Sequence, residues 1–493
     1  GIFRCPPFKL GEDCGLNRDV FDRICVHYHK KENVILTGLA GTARAYCLAE
    51  IMNQLHTKIL CLAPSEEKAY DLARELEGFA ERDRIALFLG RDLVFMKENC
   101  SAAEINRILC LRECLEHPSR SGFIITTPAG LMYLMASPAQ LQAASLRLQA
   151  GEETQLEKIL RQLVNGGYVR VDTVSRPGEF ALRGGILDVY ALNEHQPYRL
   201  DFFGDYLESI RGFDADTQRS GKKENQVKIF PADELAGEGL QASLLDYLSP
   251  DALVFFDEPH EFYRLLEQNS KRYHEILRES RKEGRELKEL QLLDREKLAG
   301  GLKKLPVVYH AYFSGSISPA EAAVLEHVSQ QEMEPFYNNY SLLFTRIKEW
   351  QSKNYHICLA VKSKMARDQI KKDLSEQHIS GVESTSQALE KGFVSQTLQL
   401  AIVSEKDIWG RVPAKTKPRK NSENRVVLED LKLGDYVVHE SYGIGIFRGV
   451  TTVETDGVTR EYVMLQYAGT DKLYLPLEKL DQLYKYTTSE DKA

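Results

Sequence analysis

No run of about 18 consecutive apolar residues, the length a membrane-spanning helix needs, occurs in the 493-residue chain, so no helical membrane span is expected. The first seven residues, Gly-Ile-Phe-Arg-Cys-Pro-Pro, lack the apolar centre of a signal peptide. No Cys-x-x-Cys pair is present, and nine cysteines is an odd number, eight of them before residue 115. Neither a zinc site nor a disulfide framework is expected. Cys110 and Cys114 share a helix face but have no ligands around them, which suits buried thiols in a reducing cytoplasm. Positive charge is also in short supply: the net charge of −8 argues against the whole surface serving as a nucleic-acid platform. No cluster of aromatics among basic residues marks a strand-separating hairpin.

What is present is a soluble, multidomain composition, 43% hydrophobic and 28% charged, too long for one core. The chemistry-bearing stretch comes early. Val34, Ile35 and Leu36 form a short apolar strand, a glycine turn follows, and Ala45 to Leu55 has the character of a helix. Strand, loop and helix N-terminus is the layout of a phosphate-binding loop, whose working form is G-x-x-x-x-G-K-[ST]. Starting from Gly38 and passing Gly41, the second glycine of that form falls on Ala43, the lysine on Arg44 and the hydroxyl on Ala45. A Cβ at 43 hinders a backbone approach that glycine permits, a guanidinium is not a compact ammonium, and Ala45 has no oxygen for Mg²⁺. The strand Ala252-Leu-Val-Phe-Phe-Asp257 ends in Asp-Glu-Pro-His, like the acidic box of nucleotide-driven helicases. With three loop positions altered, Asp257 and Glu258 are expected to be remnants of a nucleotide site and not a working one.

In chain order, residues 1–125 alternate buried strands (58–63, 84–89, 122–127) with amphipathic helices, the pattern of a parallel sheet covered on both faces. Residues 126–212 switch to short alternating strands with glycine turns at 176–178, 183–185 and 203–205, an inserted α+β module. Residues 213–335 resume the α/β pattern with charged helices, and 336–410 form a small α/β domain. Residues 411–427, with cations at 411, 415, 417, 419 and 420, have the composition of a solvated basic linker. Residues 428–493 are all-β in pattern, with a hairpin at Asp456-Gly457 and a short helix from Glu478, and suggest a small SH3- or Tudor-like barrel. The fold expected is therefore multidomain α/β, a helicase-like parallel sheet with an inserted α+β module, plus a small all-β barrel.

Three stretches, Tyr198-Arg-Leu-Asp-Phe-Phe-Gly204, Gly434-Asp-Tyr-Val-Val-His-Glu-Ser-Tyr-Gly-Ile-Gly445 and Glu461–Leu477, resemble the N-terminal half of bacterial transcription-repair coupling factors, and the resemblance covers nearly the whole chain. It implies a UvrB-like first part, a region binding RNA polymerase at the end, and an ATP-dependent double-stranded-DNA translocase beyond residue 493. It implies no cofactor in this region, ATP and Mg²⁺ belonging to that translocase, and a nucleotide loop that has lost its ligand. In the UvrB family the segment matching Arg170 to Arg183 binds UvrA. Arg170, Arg176, Phe180 and Arg183 are therefore candidate UvrA contacts, with Ala181 standing where that family has a third arginine. Without the resemblance the same arginines suit strand positions paired with Asp172, Asp188 or Asp201. The resemblance also implies that the edge carrying Lys472, Leu473, Tyr474 and Pro476 contacts the polymerase β subunit, Leu473 above all. Alternation alone would place Leu473 inside the barrel. The expected role is a non-enzymatic adaptor. Its rivals are an ATP-driven helicase subunit, which the altered loop disfavours, and a transcription regulator acting through the barrel alone.

Overall fold

The computed structural model describes residues 19–91, 102–192, 194–235, 239–284, 289–311, 324–410, 434–439, 443–455, 458–466, 472–476 and 483–485. The linker 411–427, the Asp456-Gly457 turn and the helix expected from Glu478 lie outside them. The chain divides into two compact units, Gly1–Arg411 and Val412–Ala493.

The first unit is organised on a seven-stranded sheet. Its order is Val324–His327, Val34–Thr37, Val307–Ala311, Leu253–Asp257, Lys58–Leu62, Gly122–Thr126 and Ile85–Phe88, and every neighbouring pair is parallel. The five inner strands are buried along their whole length, as near-continuous apolar runs covered on both faces should be. Successive residues feed different cores. Leu60, Ile124, Val254 and Phe256 join the inserted module, whereas Ile59, Cys61, Phe123 and Phe255 pack with the helix Gly41–Leu55. Cys110 and Cys114 are buried, as expected.

The inserted module holds a six-stranded sheet, ordered Ser220–Glu224, Tyr206–Phe213, Tyr198–Phe203, Ile186–Val189, Glu179–Arg183 and Val169–Arg170. All its pairs are antiparallel except the last. Beside it Leu146–Gln149 pairs with Gln226–Ile229, so the antiparallel region continues past residue 212.

A third sheet runs Gln330–Glu332, Phe393–Ser395, Leu400–Ser404, His356–Ala360, Val382–Thr385. One face (Ile357, Leu359, Ala401, Val403) is covered by its own helices through Leu343, Ile347, Ile370 and Leu374. The other face (Cys358, Ala360, Phe393, Leu400, Ile402) shares a core with the helix Gly41–Leu55. That helix is thus sandwiched between two sheets. Ten of its fifteen residues are buried, on every side of the helix, which explains a composition apolar all round. Tyr46 is its hub, with ring centroids 5.6 Å from Phe79, 5.9 Å from Phe393 and 6.4 Å from Phe21. Residues 336–410 therefore share a core with the first domain.

The second unit is a five-stranded antiparallel sheet, ordered Lys472–Pro476, Val458–Gln466, Gly443–Thr455, Tyr436–His439, Leu483–Lys485. Gly443–Thr455 is one continuous strand. Its register shifts between Phe447 and Val450, where Gly449 has φ +107°.

Phe393 is 1% exposed at the joint between the loop helix and the third sheet. Phe393→Ala is expected to lose about 3–5 kcal/mol of unfolding free energy in urea, read by a near-ultraviolet signal. An unchanged midpoint would show that the two sheets do not share a core.

Candidate functional site

The loop after Val34–Thr37 is shorter than a phosphate cradle. The helix begins at Gly41, four residues ahead of Ala45, so the loop proper is Gly38, Leu39 and Ala40. Alanines at 43 and 45 favour the early helix where a second glycine would hold the chain open. Gly38 has φ +84°, and a Cβ there would lie 2.6 Å from both His327 Cε1 and the Val328 carbonyl oxygen. His327 and Val328 therefore close the mouth of the loop, with Val328 N–H donating to the Thr37 carbonyl at 3.0 Å.

Arg44 turns inward. Its Nη1 donates to Asp257 Oδ2 at 2.7 Å, and its Nη2 reaches Glu75 Oε2 at a long 3.5 Å. Asp257 Oδ1 lies 2.6 Å from His310 Nδ1, whose ring places Nε2 3.1 Å from the Leu39 carbonyl oxygen. Burial by itself would raise the Asp257 carboxyl, but the His310 hydrogen bond and the Arg44 charge outweigh it and hold it below the ordinary carboxylate range. For Glu75, only loosely bonded, burial prevails and pushes the carboxyl up. Asp257 is therefore Arg44's true partner. Ala43 and Ala45 are buried helix residues. Glu258, in the left-handed region at φ +45°, turns the strand end into the helix Pro259–Lys282. Among the described residues no group of three or more metal-ligating side chains occurs.

The inserted sheet holds the second candidate set. Arg170, Arg176 and Arg183 are exposed, but the sequence placed them too simply on one surface with Phe180. Phe180 is 1% exposed and belongs to the core with Leu187 and Leu200, so its ring is not a surface contact. Arg170 is the register partner of Phe180 on the edge strand, whereas Arg183 shares its face with Ala181, which packs with Val174 and Phe213 on the opposite side. Arg176 lies in the turn between, where Glu179 Oε2 accepts from the backbone N–H of Ser175 and of Arg176.

Two residues beyond the candidate set organise the Arg183 face. The buried carboxylate of Asp188 accepts from Arg183 Nη2 at 2.6 Å and from Arg199 Nε and Nη2 at 2.7 and 2.9 Å. Arg199 also lies over the Phe213 ring, 4.5 Å from its centroid. The sequence named Asp188 as a possible partner and missed Arg199. Alternation carried the signal, since 181, 188 and 199 are register partners across three strands.

In the terminal unit the strand Lys472–Pro476 stands at the end of the sheet order among the described residues. Lys472 pairs with Gln466, Leu473 with Leu465, Tyr474 with Met464 and Pro476 with Tyr462, so one side of this strand is paired. Leu465 and Val463 are buried.

Two families match separate parts of the chain. Residues 146–235 match the UvrB interaction domain and residues 431–487 the CarD-like/TRCF RID domain. One chain thus carries both a match to a UvrB-type interaction domain and a match to a RID domain. It is 25% identical, over 95% of its length, to the transcription-repair-coupling factor of Bacillus subtilis (strain 168). Coupling factors of Staphylococcus haemolyticus (strain JCSC1435) and Staphylococcus aureus (strain bovine RF122 / ET3-1) are each 25% identical over 94%. It covers 46% of each, so the chain spans about half the length of the curated relatives it matches. The resemblance carried by the three motifs is found along almost the whole chain.

Removing Arg44 leaves the buried Asp257 and the partly buried Glu75 short of their cation, and Arg44→Leu is expected to cost about 3–5 kcal/mol at pH 7. Because the folded Asp257 carboxyl is held low, its stabilisation is present above the ordinary value of about 4 and is lost as pH falls through the lowered one. The gap between wild type and variant should therefore narrow on acidification below about pH 4. Urea unfolding at neutral and acid pH measures it, and a gap that widens on acidification would exclude this role for Asp257.

Proposed function

We propose that this chain is the adaptor region of a transcription-repair coupling factor. The UvrB-type domain recruits the excision-repair protein UvrA, and the RID domain docks on the β subunit of RNA polymerase stalled at damage in the cytoplasm. The observation that carries this reading is that one chain holds both domains and aligns with the coupling factors along 95% of its length. Holding both modules on one chain raises the effective concentration of one partner near the other.

On the UvrA side, exposed Arg170, Arg176 and Arg183 supply the charge, and Arg183 is presented by Asp188. On the polymerase side, the end position of Lys472–Pro476 suits addition of a partner's strand, with Pro476 consistent with an edge and Leu473 the principal contact. The terminal sheet closes, in this reading, into an SH3- or Tudor-like barrel. Contact with double-stranded DNA falls mainly to the rest of a full-length coupling factor.

The same reading makes this region non-enzymatic. Arg44 and Glu75 fill the end of the loop helix where phosphate would sit, and Asp257 is already paired with Arg44 and in hydrogen-bond contact with His310. An ATP-driven helicase would require Arg44 to leave Asp257 and the helix to unwind at Gly41. No ATP turnover above background is expected; hydrolysis abolished by Glu258→Gln would favour the helicase reading instead.

Pull-downs of residues 1–493 with purified UvrA and with polymerase β separate the two arms. Arg183→Glu is expected to weaken UvrA capture by about 30-fold, some 2 kcal/mol, leaving polymerase capture intact. Leu473→Arg is expected to do the reverse. Retention of both partners by the double variant would remove the Arg183 and Leu473 assignments, and capture of only one partner, or of neither, by the wild-type chain would sink the adaptor reading.

A further inference from the structure

Three apolar side chains of the inserted sheet stand in water at neighbouring strand ends. Phe203 is 78% exposed, Tyr206 43% and Ile186 39%. Leaving a phenylalanine exposed forgoes the free energy of burying its ring, and the turn itself does not require the ring. Gly204, at φ +61°, meets the conformational demand of that hairpin.

The backbone holding Phe203 is braced from two sides. Phe202 N–H donates to the Gly185 carbonyl at 2.7 Å, tying this hairpin to the one beside it. Thr154 N–H donates to the Asp205 carbonyl at 2.6 Å, and Leu156 N–H to Asp205 Oδ1 at 3.1 Å, anchoring the turn to the start of the helix Leu156–Asn165. Leu207 exchanges backbone hydrogen bonds with Gly151 and Glu152 at 2.8 and 3.0 Å. A phenylalanine on a fixed backbone loses little entropy when a partner covers it, the property of an interface anchor.

Alternation puts Arg199, Asp201 and Phe203 on one face. The ladder places Arg183, Ile186, Asp201 and Ser209 side by side in one row, and Ala181, Asp188, Arg199, Arg211 and Lys223 in the next. Four cations face two carboxylates across these rows, an excess of positive charge. Arg183 spends one nitrogen on Asp188 and remains 49% exposed at its side chain. Its other donors are available to an incoming carboxylate.

We propose that this face is a protein-docking surface in which Phe203 is the apolar anchor and Arg183, held by Asp188, is the polar one. Its occupant is an acidic surface of UvrA containing an apolar recess that receives the Phe203 ring, with Ile186 and Tyr206 at the recess margin. The assignment rests on the reading of the UvrB-type domain as the UvrA-recruiting module. It moves the aromatic contact from Phe180, which is core, to the tip of the next hairpin but one.

The test is a titration of purified UvrA against the whole chain and its variants, with thermal unfolding of each variant as control. Phe203→Ala is expected to weaken binding about tenfold or more, equivalent to about 1.4 kcal/mol, with unfolding temperature unchanged because the ring touches solvent. Phe203→Leu keeps an apolar anchor and should bind within about threefold of wild type. Should Phe203→Ala bind like wild type while Arg183→Glu does not bind, the anchor is refuted and the recruiting role of the domain survives. Wild-type affinity in both variants refutes this face as the docking surface and leaves the recruiting role standing, whereas no binding by the wild-type chain overturns the recruiting role and the anchor together. A Phe203→Leu loss as large as that of Phe203→Ala also counts against an apolar recess.

Discussion

A carboxylate at the end of a central strand, deep in an α/β sheet, must meet a cation, because an unpaired buried charge costs several kcal/mol. Here that carboxylate is Asp257 and the cation is Arg44, from the helix after the first strand, 213 positions away in sequence. The remaining loop geometry is consistent with that pairing. Arg44 can reach Asp257 because the helix has already begun at Gly41, and the loop is short enough for His327 and Val328 to close over Gly38. Arg44, Asp257 and His310 satisfy one another.

The same pairing of an aspartate with arginine recurs in the inserted sheet with the opposite consequence. Asp188 is buried and holds two guanidiniums, but Arg183 remains half in water. In the first case an arginine 10% exposed is consumed by the interior; in the second a buried aspartate fixes the direction of an arginine that faces outward. A buried carboxylate is therefore a closing device in one place and a presenting device in the other, depending on how much of the guanidinium the surrounding strands cover.

Much of this could be read in the chain. The apolar runs 34–36, 58–63, 122–127 and 252–257 became inner strands of the parallel sheet, because only strands covered on both faces are apolar at every position. The alternating stretch after 169 became the antiparallel sheet. Phe180 was misplaced although the signal was present: in Glu179-Phe180-Ala181-Leu182-Arg183 it shares parity with Leu182, not with Arg183. The all-round apolar character of Thr42 to Met52 was likewise visible, and its meaning, a second sheet lying over the helix, was not. Covering a helix on its outer side is a long-range event that leaves no periodicity of its own.

The sequence by itself determined the element types, the loss of the lysine, glycine and hydroxyl positions from the loop, and the resemblance that points to two binding modules. These are local properties, set by spacing and by side-chain chemistry. Only the tertiary structure decided that Arg44 turns inward to Asp257, which arginines share a face, and that Phe203 stands in water while Phe180 does not. Those outcomes depend on strand register and on contacts between residues hundreds of positions apart, where the free energy of burial is settled.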